Sequence, residues 1–146
     1  MSLFPPSTNN QYRGSPIAPY GLGLIATLTI IPGCIHYLLP DGGAGVIAHI
    51  DLSSHRSEIV AIFAWMGATQ IPWGLAQLTV AIRYQSLTPL FLLLSLFLDL
   101  LSSLAGWVTK TAVEGHHPPE HYGVLAGAVV ASAMLALSLR QRDSRL

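Results

Sequence analysis

The chain has 146 residues, of which 51% are hydrophobic and 10% charged, and its mean hydropathy is +0.53. A water-soluble domain carries about 25% charged residues, so most of this surface is meant for lipid. The formal net charge of +0 argues against nucleic acid as a partner, because phosphate binding needs clustered Lys and Arg.

In chain order, residues 1–19 form a polar, proline-rich tail that on its own is expected to be mobile. Apolar stretches follow at 20–39, 59–82, 90–108 and 122–139, and the only charge within them is Asp99. About 20 apolar residues, rising ~1.5 Å each, cross a hydrocarbon core of ~30 Å. Backbone groups in lipid must be satisfied inside the segment, so each stretch is read as a helix. The expected fold is all-α: a single multi-pass membrane domain built as an antiparallel bundle of four transmembrane helices. Outer loops are expected at 40–58 and 109–121, with tails at 1–19 and 140–146.

Orientation follows from the basic residues. Arg13, Arg83, Arg140, Arg142 and Arg145 fall on one side, and Arg56 and Lys110 on the other. Excess Lys and Arg mark the cytoplasmic face, which puts both termini inside the cell. Asp41, Asp51, Glu58, Glu114 and Glu120 gather at the other face with the histidines His49, His55, His116, His117 and His121. His36 lies near the outer end of the first span. The first loop opens on a turn signal, Pro40-Asp41-Gly42-Gly43, and Val46–Ile50 is expected to form a short helix or strand along the interface.

Small and polar residues mark the faces expected to look inward. The second span carries Gly67, Gln70, Gly74, Gln77 and Ala81; the third carries Ser95, Asp99, Ser102 and Gly106; the fourth carries Gly123, Gly127 and Ala131. Such spacing suits closely packed helices, and the second and third spans are expected to meet along these polar seams. Pro32 and Pro72 each free a carbonyl one turn earlier, which Thr27, Thr29 or Thr69 is expected to help satisfy.

Asp99 has no Lys or Arg within any span to pair with. A carboxylate near the bilayer centre costs at least ~2.5 kcal/mol, so it is expected to sit there as the neutral acid. Its expected partners are Gln70, Gln77 or a serine. Three roles are open to it: a structural hydrogen bond, a contact with a partner subunit, or proton or substrate handling.

His116-His117-Pro118-Pro119-Glu120-His121 is the densest group of potential metal ligands. With His36, the residues His116, His117, Glu120 and His121 form the candidate metal set, although their spacing matches no strong motif. Cys34 and His36, two apart, are a weaker candidate pair. Pro118-Pro119 favours extended chain, so His117 and His121 need not share a helical face, while Pro119 and Glu120 suit the first turn of the last helix. No hydrolase triad, nucleotide loop or metalloprotease helix is present.

The Pro40-Asp41 turn, Arg56 leading into the second span and the Gly67-x-x-Gln70 seam resemble the small four-helix bacterial membrane families, the DoxX-like proteins and their relatives, across residues 20–139. That resemblance implies a bacterial plasma-membrane location and carries over no functional residue. The expected function is an accessory subunit packed against other membrane proteins or a second copy. The alternatives are a redox protein holding a metal, haem or quinone near the outer face, and an oligomeric transporter.

Overall fold

The computed structural model describes residues 3–111 and 117–140. Its main helices are α1 (Ile17–Leu38), α2 (Arg56–Arg83), α3 (Thr88–Leu104) and α4 (Pro119–Leu139); α3 runs on into a π-helical turn, Ala105–Thr109. Four helical stretches, with Gln85–Thr109 counted as one, are long and apolar enough to cross a membrane. Each overlaps one of the four apolar stretches, and the bounds agree to within five residues. The described residues contain no strand.

The small-residue stripes pack differently from the expectation. α1 packs most extensively against α2, α3 against α4, and α1 touches α4, whereas α2 and α3 meet at few positions. A Cβ on Gly67 would lie 2.5 Å from the Gly33 carbonyl oxygen, and one on Gly74 would lie 3.0 Å from that of Ala26. The glycines of the α2 stripe therefore face α1. The reason is a matching track on α1, Gly23, Ala26, Ile30 and Gly33, which lets the two backbones approach. Close approach matters because lipid provides no hydrophobic drive between helices, leaving van der Waals packing and hydrogen bonds to hold them.

The α3 stripe divides. Ser95 faces α2, with Gln77 Nε2 donating to Ser95 Oγ at 2.8 Å and that hydroxyl donating to the Phe91 carbonyl at 2.7 Å. Asp99 and Gly106 face α4 instead, against Gly127 and His121. Ala18, Leu22, Val80, Ala81 and Leu92 form a core at the end of the molecule that carries both tails.

Two further expectations are corrected. Thr27, Thr29 and Thr69 donate to the carbonyls of Gly23, Ile25 and Met66, so their hydroxyls are directed away from the carbonyls freed by Pro32 and Pro72. Val46–Ile50 forms neither helix nor strand. It belongs to a run of turns with left-handed Gly42, Gly43 and His49, held down by Ala44 and Ala48 packing on Phe63.

The N-terminal segment, expected to be mobile alone, is tied to the end of α2. The Thr8 N–H and Ser7 Oγ donate to the Arg83 carbonyl, Asn9 Nδ2 donates to the Ile82 carbonyl, and Tyr84 Oη donates to the Pro5 carbonyl. Carbonyls at a helix C-terminus lack partners within the helix, and here the tail supplies them.

Candidate functional site

The polar chemistry concentrates at the end that carries the 40–55 loop, in two neighbouring groups. The first is built on His36, in the last turn of α1 and only 4% exposed. Its Nδ1 lies 2.7 Å from the Gly42 carbonyl, which fixes Nδ1 as the donor. Its Nε2 is 3.0 Å from Glu120 Oε1 in the first turn of α4, a close ion-pair contact rather than a well-directed hydrogen bond. The ring edge rests on Phe63 with centroids 5.1 Å apart, and Gly67 leaves room for its Cβ. One side chain thus ties α1, the first loop, α2 and α4 together.

The loop that reaches His36 is shaped by Asp41. Its Oδ1 accepts from the Gly43 N–H at 2.9 Å, and its Oδ2 accepts from the N–H groups of Val46 at 2.9 Å and Gly45 at 3.1 Å. Gly42 needs its left-handed φ of 63°, and a Cβ there would meet Phe63 at 2.8 Å. The backbone donors, Val46 first and then Gly43, hold the Asp41 carboxyl below its ordinary value. A carboxyl depressed in the folded state stabilises above its unfolded pKa, about 3.9, and loses that contribution as pH falls through the lower folded value. Hydrogen exchange at the Gly43, Gly45 and Val46 amides is therefore expected to stay slow at neutral pH and lose its protection in strong acid. Asp41→Ala should remove that protection at every pH; unchanged exchange would contradict the assignment.

The second group surrounds Trp107 in the π-helical turn. His117 stacks on the indole at 4.0 Å and 20°, and Tyr122 meets it edge-on at 5.4 Å. Trp107 Nε1 donates to the His121 carbonyl at 3.2 Å. His117 Nδ1 and His121 Nδ1 are 3.1 Å apart, so one ring donates and the other accepts. The two histidines, which Pro118-Pro119 left without a need to share a helical face, are brought together because His117 precedes α4 and folds back over Trp107. A side chain at Gly106 would overlap the His121 ring.

The candidate metal set thus resolves into two pairs, His36 with Glu120 and His117 with His121, while His116 lies outside the described residues. Among the described residues, no group of three or more His, Cys, Asp or Glu side chains converges on one point. Asp99 has no hydrogen bond to Gln70, Gln77 or a serine among the described residues; its carboxyl instead lies against Gly127. Gln77 donates from Nε2 to Ser95 Oγ, while its Oε1 is buried without a partner. Gln70 Oε1 and Trp73 Nε1 are buried without a partner. Trp73 did not stand out in the sequence, although its place three residues after Gln70, on the same face of α2, was a usable signal.

These features define a helical protein with four apolar helices suited to a membrane and a polar cluster at one end. No family model, curated protein or solved structure matches the chain.

Proposed function

We propose that this chain is an accessory subunit of a larger membrane complex, a multi-pass antiparallel bundle in a bacterial plasma membrane with both termini cytoplasmic. The observation that carries the reading is Asp99. Its carboxyl sits midway along a span, half-buried beside Gly127, with no hydrogen bond from a described residue. Polar groups at that depth face a protein interior or a partner. The helices also bury little of themselves, only 17–22% of each apolar window, and α3 exposes Leu93, Phe97, Leu100 and Leu104.

Native mass spectrometry of the chain extracted gently from its own membranes tests this. A partner chain at fixed stoichiometry, retained by Asp99→Asn and lost from Asp99→Leu, is the expected result. A lone chain in both the wild type and the variants overturns the proposal.

A second reading, a metal- or haem-binding redox protein, draws on the two ring nitrogens of His117 and His121. A spacing of 3.1 Å suits two ligands of one ion as well as it suits a hydrogen bond. It ranks second because only two donors converge among the described residues. A stoichiometric metal or a visible absorption band in the purified protein would favour it.

A further inference from the structure

The Nδ1 atoms of His117 and His121 face each other at 3.1 Å, and neither residue is sealed in the core. Two nitrogens held ~2.0–2.1 Å from one ion, at a coordination angle of roughly 90–110°, stand about 2.8–3.4 Å apart. The separation in the protein falls inside that range. Both rings are also set in place by their surroundings. His117 lies nearly flat on Trp107, at 4.0 Å and 20°. The His121 ring rests on Gly106, where a Cβ would come within 2.9 Å of its Nε2. Trp107 Nε1 donates to the His121 carbonyl, so the indole braces both residues. Donors fixed in advance give up little freedom when they take a ligand.

We propose that His117 and His121 chelate one divalent transition-metal ion of the copper, nickel or zinc class through their two Nδ1 atoms. Imidazole nitrogen selects these ions over Mg²⁺ and Ca²⁺, which take oxygen ligands. Glu120 is turned toward His36, 3.0 Å from its Nε2, so water completes the coordination shell. A bare ion fits the pair better than haem, whose two axial nitrogens stand on opposite faces of one iron, about 4 Å apart. The proposal deepens the second functional reading and rests on its histidine pair, but it assigns the ion no redox role.

The test uses the full chain in detergent with Trp65→Phe and Trp73→Phe, leaving Trp107 as the sole tryptophan. Cu²⁺ should quench Trp107 saturably at one equivalent, EDTA should reverse the effect, and Mg²⁺ should have none. Zn²⁺ should compete with Cu²⁺ and bind less tightly. Zn²⁺ should also raise the thermal midpoint, because a ligand of the folded state alone stabilises it. His117→Ala or His121→Ala should each weaken Cu²⁺ at least tenfold and abolish the Zn²⁺ shift. Gly106→Ala keeps both histidines but crowds the His121 ring, and should weaken Cu²⁺ as well. Replacing His49, His55 and His116 together should leave the affinity unchanged. Circular dichroism confirms that the variants remain folded. Non-saturating quenching, or undiminished affinity in His117→Ala and His121→Ala, overturns the proposal. A haem band in protein that binds neither Cu²⁺ nor Zn²⁺ also overturns it, while leaving the second functional reading in place.

Discussion

Gly67→Val is expected to separate α1 from α2, with a fall in stability of about 1–3 kcal/mol or more. A Cβ at this position would lie 2.5 Å from the Gly33 oxygen and 2.8 Å from the Tyr37 nitrogen. Both atoms are backbone, so relief requires moving a whole helix rather than turning a side chain. The same displacement would disturb His36, whose Cβ lies 3.0 Å from the same point. Gly123→Ala is the control, because a Cβ there meets nothing within 4 Å. Thermal or SDS-driven unfolding followed by circular dichroism should show a lowered midpoint for Gly67→Val and none for Gly123→Ala. Equal midpoints would show that α1 and α2 do not pack as described.

His36→Leu is the second large effect expected. It removes the Nδ1 donor from the Gly42 carbonyl, and an unsatisfied buried carbonyl costs ~1–3 kcal/mol. The loss of the Glu120 contact adds little, since that carboxylate is 40% exposed and water screens it. The Phe63 contact keeps an apolar partner in the leucine variant, so the polar loss should dominate. Limited proteolysis or hydrogen exchange should report faster opening of the 40–55 loop, while α3 is unaffected. Glu120→Gln should have a smaller effect. If Glu120→Gln opens the loop as much as His36→Leu, the Gly42 bond is not the main tie.

The spans were readable because their signal is local: about 20 uncharged residues in a row identify a helix that can cross lipid, whatever lies beside it. Which helix each stripe faces was not readable. Gly67 and Gly74 announce close approach but do not name the neighbour, and the similar polar stripe on the third span suggested the wrong one. The track on α1 at Gly23, Ala26 and Gly33 decides the pairing. Asp99 was visible as an exceptional residue, but its side of α3 depends on packing against Gly127. The docking of the N-terminal segment was hidden because its anchors are carbonyls of Ile82 and Arg83, which any sequence supplies. Among the candidate ligands, the sequence placed the histidines near one end, while their division into His36–Glu120 and His117–His121 required the turns before α4.

The most direct test of the central claim, a four-span protein with cytoplasmic termini, is labelling of single cysteines in right-side-out membrane vesicles. In a Cys34→Ala background, Ser54→Cys lies on the exposed first loop and Arg140→Cys at the end of α4. A membrane-impermeant maleimide should modify the cysteine at 54 in sealed vesicles, and the one at 140 only after the vesicles are opened. Labelling at 140 in sealed vesicles, or protection at 54, would contradict the account.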